Sequence, residues 1–206
     1  MNMKQMFFTG VERFDSFTRG GYSMKIIAVT GYKPMELNLF KPDDPRIKYI
    51  KAAIKKRLIS FIEEGLEWVL ISGKMGFEIW TAEVVQELQE MYAIKLGIIP
   101  PFENQESRWP DPLKQVYHEL ITTADFYQPL YKGDYKGAYQ FKASNKWLID
   151  KSAACLILMD EEFQGSTRFF YNEAKQTPEY PVYFITPSDL DDVVEEIHMQ
   201  DPAYWE

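Results

Sequence analysis

The feature that most constrains this chain is its alternation between two hydrophobic periods. Short, unbroken apolar runs occur at "KIIAVTG" (25–31), "EWVLISG" (67–73), "IKLGIIPPF" (94–102), "AACLILMD" (153–160) and "YPVYFIT" (180–186). Continuous runs of this length mark strands buried on both faces. Between them lie stretches with apolar residues at helical spacing. The first, 46–64, carries Ile47, Ile50, Ile54, Leu58, Ile59 and Ile62 on one face and stops at Gly65. Others cover 77–93, 111–124 with Asp111 and Pro112 at its start, 137–152, 166–176 and 187–197. "DFYQPLY" (125–131) adds a short strand. Parallel strands need crossovers, so this alternation predicts an α/β, doubly wound, mainly parallel sheet with helices on both faces. The most apolar run, "AACLILMD", is expected at the centre of the sheet.

A length of 206 residues with 46% hydrophobic composition suits one packed core. Residues 24–206 are expected to form a single domain beginning at the start-like "MKIIAVTG". Residues 1–23, in which charges interrupt every apolar cluster, read as a poorly ordered extension with no secretory signal. A net charge of -8 opposes broad nucleic-acid binding, which depends on concentrated Lys and Arg. No run approaches the roughly 18 apolar residues that a membrane span needs, so the chain is expected to be cytoplasmic and free of the membrane. The single cysteine, Cys155, cannot form an internal disulfide and falls within an apolar run, where a core role is expected.

In open parallel sheets, ligands bind outside the carboxyl ends of the strands. Three segments reach that edge. "TGYKP" offers Thr30, Gly31 and Lys33; "SGKMGFE" offers Ser72, Gly73, Gly76 and Glu78; "DEEFQGSTR" offers Asp160, Gly165, Ser166, Thr167 and Arg168. Glycines at a strand-to-helix junction let bare amides and the helix dipole cradle a phosphate. The plainer account of Gly73 and Gly76 is a tight turn with close packing, and that of Gly165 and Ser166 a turn and an N-cap. Glu78 is either a cap that suits the helix dipole or a carboxylate for a ribose hydroxyl or sugar centre.

Asp160, Glu161 and Glu162 have the chemistry for magnesium, although three acidic residues in one loop are more often solvated, and no metal is expected. His118 and His198 lack visible partners at zinc-ligand spacing. Trp68, Trp80, Trp147, Tyr139 and Phe141 read chiefly as core or pocket wall, with stacking on a base as the sharper alternative.

The stretches "MKIIAVTGYKPMELNLF", "RLISFIEEGLEWVLISGKMGFEIWTAE", "QFKASNKWLIDKSAACLILMDEEFQGSTRFFYNEA" and "YPVYFIT" together resemble the YpsA family of the SLOG superfamily. The resemblance implies a Rossmann-like fold and a pocket for a nucleotide-like ligand such as ADP-ribose or another NAD derivative. It carries the family's glycine and acidic positions onto Gly76 and Glu78, and further motif positions onto Gly31, Lys33, Asn145, Asp150 and Gly165. It also implies a link to cell division and growth control in Gram-positive bacteria through a protein partner. Related LOG-type phosphoribohydrolases cleave base from sugar with P-G-G-x-G-T-x-x-E. Here that string is absent, and Glu78 follows Gly76 by two positions rather than four, which weighs against hydrolysis through Glu78. The DprA relatives bind single-stranded DNA, a role that the acidic net charge opposes.

Overall fold

The computed structural model describes residues 24–199; the expected extension at 1–23 lies outside them. Six strands form one sheet, β1 (Ile26–Gly31), β2 (Trp68–Ile71), β3 (Lys95–Ile98), β4 (Phe126–Tyr127), β5 (Ala154–Leu158) and β6 (Val182–Ile185). Six helices surround it, α1 (Ile47–Glu63), α2 (Phe77–Leu88), α3 (Asp111–Thr123), α4 (Ala138–Asp150), α5 (Arg168–Gln176) and α6 (Pro187–Met199). The strand order is β4-β3-β2-β1-β5-β6 and every pairing is parallel. The α/β Rossmann-like class expected from the sequence is therefore the class observed.

Element ends differ in instructive ways. α2 stops at Leu88 rather than 93, and the next residues tighten into a turn in which the Glu90 and Met91 amides donate three residues back, to the Glu87 and Leu88 carbonyls. β5 is an interior strand but not the middle one, which corrects the placement expected for "AACLILMD". The centre is shared by β1 and β2. All three strands are buried along nearly their whole length, so apolar content cannot rank them.

The chain winds outward from β1 through β2 and β3 to β4, then returns to place β5 on the other side of β1. Strand order thus reverses between β1 and β5, where a crevice opens at the carboxyl ends. Beneath it the core is continuous. α1 buries Ile50, Ala53, Ile54, Leu58 and Phe61 and meets β6 through the Phe61 and Tyr183 rings, while α2 is buried along most of its length and packs against both α1 and the strands. No helix among the described residues is long and apolar enough to cross a membrane.

The junction between β2 and α2 explains its own glycines. Gly76 has φ 93 and ψ -126, a conformation that side chains resist. A Cβ there would lie 2.7 Å from the Tyr32 carbonyl oxygen and 2.8 Å from Pro34 Cδ. At Gly73 the same space is bounded by Ile98 and Tyr117. Protein atoms fill the room that these missing side chains leave. The first amide of α2, that of Phe77, donates to Tyr32 O at 3.1 Å, so the helix start is docked onto the loop that follows β1.

Gly76→Ala is expected to destabilise the fold by at least the ~1–3 kcal/mol of a disfavoured backbone, lowering the melting temperature by roughly 2 °C or more in a chain of this size. Thermal denaturation checks this, and an unchanged midpoint would contradict the packing described. Cys155 is fully buried, and burial pushes its thiol up to about 12 despite a hydrogen bond with Tyr180. A disulfide-exchange reagent at neutral pH should leave it unmodified until denaturant is added.

Candidate functional site

Glu78 lies in the first turn of α2 and is 1% exposed. Its carboxylate accepts four hydrogen bonds from three segments. Thr30 Oγ1 donates to Oε1 at 2.7 Å, while the Ser72 amide, Ser72 Oγ and the Lys74 amide donate to Oε2 at 2.9, 2.8 and 3.1 Å. Lys74 Nζ stands 3.7 Å from Oε1. A buried carboxylate is tolerated only when matched in this way. The amides flanking Gly73 thus do form an anion cradle, and the anion in it is the protein's own Glu78.

The second helix start repeats the device. A 3-10 turn at Pro34–Leu37 follows Lys33, and another at Gly165–Thr167 leads into α5. Glu36 joins them: its carboxylate accepts from the Ser166 amide at 2.6 Å, Ser166 Oγ at 3.2 Å and the Lys33 amide at 2.8 Å. A Cβ on Gly165 would sit 2.6 Å from Glu36 Oε1, so glycine is what lets the carboxylate in. Burial would raise the Glu36 carboxyl, but the hydrogen bonds from Lys33 and Ser166, with the Lys33 charge, hold it below the usual carboxylate range. Sequence reasoning missed Glu36, although a glutamate three positions after an N-cap is a recognisable signal.

Tyr32 laces the same two loops together. Its hydroxyl accepts from the Asp160 amide at 2.7 Å and donates to the Phe163 carbonyl. The acidic loop is tied to α5 and to itself, with Glu161 accepting from the Tyr171 hydroxyl at 2.7 Å and the Glu162 amide donating to the Asp160 carboxylate at 2.8 Å. Among the described residues no group of three or more His, Cys, Asp and Glu side chains could hold a metal ion. His118, for which the sequence offers no visible partner, meets Glu106 at 3.2 Å.

Above this floor lies a cleft of about 930 Å³. Of the residues singled out from the sequence, it brings together Thr30, Gly31, Lys33, Asn145, Ser166 and Thr167. Ser72, Gly73, Gly76, Glu78, Asp160, Gly165 and Arg168 are not in its lining: they support it from below or beside, and Arg168 stacks over Phe169 at 4.8 Å. Asp150 is at the far end of α4, paired with Lys146 at 2.8 Å.

The sequence did not single out Lys74, Met75, Phe102, Gln105, Trp109 or Lys142 of the lining, nor the α5 residues Phe169, Asn172, Glu173 and Gln176. Gln105 is held in place by donating Nε2 to the carbonyls of Ser72 and Gly73 and to the Tyr117 hydroxyl. Tyr139 and Phe141 belong to the cleft wall, whereas Trp68 and Trp80 are core and Trp147 packs against it.

The cleft is electrostatically mixed. Lys33, Lys74 and Lys142 contribute positive charge, and Glu173, its carboxyl raised by burial and opposed by Lys146 and Lys142, contributes the carboxylate. Two buried oxygens of lining residues, Asn145 Oδ1 and Thr167 Oγ1, have no hydrogen-bond partner. An unpaired buried polar atom costs about 1–3 kcal/mol and calls for a reason.

Glu78→Gln keeps the shape of the side chain but removes the charge: its oxygen can still accept from the Ser72 and Lys74 amides, while its NH2 replaces the oxygen that faces Thr30 Oγ1 and the Lys74 ammonium, of which only the hydroxyl can accept. It should cost about 2–3 kcal/mol, as hydrogen bonds to charged groups do, and lower the melting temperature by roughly 4–9 °C. A variant that melts with the parent would remove Glu78 from its place as the anchor.

The model described as the YspA SLOG family matches residues 27–190, from β1 into α6. The chain is 64% identical over 184 residues to a UPF0398 protein of Oceanobacillus iheyensis, covering 89% of this chain and 100% of that one. It is 48% identical over 184 residues to a UPF0398 protein of Bacillus pumilus, covering 89% and 97%. With the UPF0398 protein YpsA of Bacillus subtilis it shares 47% identity over 177 residues, covering 84% and 98%. On a family match that spans the sheet and relatives similar over almost their whole length, this chain belongs to the YpsA family of SLOG proteins.

Proposed function

We propose that the cleft binds a nucleotide-like small molecule, ADP-ribose or a related NAD derivative, and that the protein acts as a sensing module linked to bacterial cell division through a protein partner. The observation that carries this reading is the pair of unpartnered buried oxygens, Asn145 Oδ1 and Thr167 Oγ1, in the wall of a cleft at the strand-order reversal. Asn145 Oδ1 is an acceptor suited to a ribose hydroxyl or an exocyclic amine, and the Thr167 hydroxyl can donate or accept. Lys33, Lys74 and Lys142 supply charge for phosphates. Phe102, Trp109, Tyr139, Phe141 and Phe169 supply surfaces on which a base can stack. Under this reading Glu78 is a positioning residue, since its oxygens already accept from Thr30, Ser72 and Lys74. The acidic net charge and the small-molecule scale of the cleft favour this ligand class over nucleic acid.

A thermal-shift panel of NAD, ADP-ribose, AMP and cyclic dinucleotides tests the proposal. At about a hundred times the dissociation constant, binding supplies roughly 2.7 kcal/mol and should raise the melting temperature by about 5–10 °C. Asn145→Leu, which removes an unbonded oxygen while keeping the branching of the side chain, should weaken binding at least ~10-fold, the loss of one good hydrogen bond, in a protein that still folds. Absence of any shift across the panel would overturn the reading. Base released from the same compounds would instead point to an N-glycosidase, and loss of that release in Glu78→Gln at retained folding would make Glu78 its carboxylate.

A further inference from the structure

We infer that Glu36 is a specificity-determining residue that makes the cleft favour ligands whose phosphates are internal, as in a pyrophosphate bridge, over ligands ending in a terminal phosphate. The inference rests on the nucleotide-binding reading above and adds to it the chemical form of the phosphate.

The start of α5 is where a terminal phosphate would gain most, because amide donors and the helix dipole converge there and Lys33 stands nearby. Thr167, only 4% exposed, lines the cleft at that point and its Oγ1 has no partner. Ser166 and Lys33 line the cleft beside it. Yet the Ser166 amide, the Ser166 hydroxyl and the Lys33 amide already donate to the Glu36 carboxylate at 2.6, 3.2 and 2.8 Å. Glu36 itself is not part of the lining, so it holds these donors from behind the wall. A phosphate arriving from the cleft meets donors that are engaged and a fixed negative charge just beyond them.

That charge acts unequally on the two kinds of ligand. A phosphate monoester carries about -1.5 to -2 charges near pH 7 on three oxygens, whereas each phosphate of a bridging diester carries a single negative charge. Repulsion from Glu36 grows in proportion to ligand charge. An internal diester can also be held by the lysines and the free Thr167 hydroxyl, without the Ser166 amide. Glu36 thus commits the Ser166 amide and leaves the buried, unpartnered Thr167 hydroxyl as the uncommitted polar group at the α5 start.

Isothermal titration of the full chain with ADP and with ADP-ribose tests this in the parent, Glu36→Gln and Glu36→Ala. The parent should bind ADP-ribose more tightly than ADP. In both variants the ADP affinity should rise about tenfold, the effect of removing one fixed charge near a partly exposed phosphate, while ADP-ribose changes less than about threefold. Glu36→Gln preserves the side-chain volume and keeps one of the two backbone amides, that of Lys33 or of Ser166, as its donor, so with folding and ADP-ribose binding retained it reports on charge even if Glu36→Ala folds poorly. A ratio of affinities that stays the same in a folded Glu36→Gln protein, with ADP-ribose binding intact, overturns the role of Glu36 and leaves the nucleotide-binding reading standing. If neither compound binds the parent or the variants, both proposals fall.

Discussion

The carboxylate of Glu78 is the interaction on which the carboxyl edge of this sheet depends. It sits at 1% exposure, where an unmatched charge would be prohibitive, and is matched by donors at the end of β1, at the end of β2 and in the loop before α2. Each contact constrains the others. Thr30 reaches it only because β1 and β2 pair in parallel register, with Ile26 opposite Trp68. α2 delivers Glu78 to that spot only because Gly76 lets its first turn press against Tyr32 and Pro34. Remove the charge and three segments lose their common partner, so the floor of the cleft would no longer be fixed.

Glu36 applies the same chemistry on the other side of β1, and the two carboxylates together decide what kind of anion site is left. Amides at the starts of α2 and α5 would normally give directional, preorganised phosphate binding. Here the amides of Ser72, Lys74 and Ser166 are committed internally. What remains in the cleft is the charge of Lys33, Lys74 and Lys142 together with hydroxyls and amide side chains. Lysine ammoniums are strongly hydrated point charges on flexible stems, so attraction for an anion is broad and orientation has to come from elsewhere. The aromatic wall and the Asn145–Thr167 pair are the rigid features able to provide it.

How much of this could be read from the sequence follows from which physical signals are local. The strands were legible because burial on both faces demands unbroken apolar runs, and the helices because their buried faces repeat with the turn. Strand order was not, since β1, β2 and β5 are all buried and composition cannot distinguish their places. Thr30, Lys33, Ser166 and Thr167 could be found because the topology sends strand ends and helix starts to one edge. The glycines are ambiguous for a definable reason: a missing Cβ reports that something comes close, and Tyr32 O at Gly76 or Glu36 at Gly165 satisfies that as well as a ligand would. Phe102, Gln105 and Trp109 lie in a loop with no period to betray it. Lys142 and Glu173 look like ordinary solvated charges until α4 and α5 are packed together.

Tyr32 gives the cleft a mechanical connection to the outer surface. Its hydroxyl joins the loop after β1 to the loop after β5, across the place where strand order reverses. Those loops also carry side chains that face outward, with Met35 59%, Phe40 77% and Phe163 75% exposed. The cleft side of the same segments presents Lys33, Ser166 and Thr167. Under the sensing function proposed here, a ligand that draws on Lys33 and Thr167 alters the balance of forces on Glu36, which bonds to Lys33 and Ser166 and lies in the same turn as Met35. Differential contact of this kind is what a ligand needs in order to shift one surface arrangement toward another. On that proposed reading the laced loops, rather than the sheet held by Glu78, would carry the response.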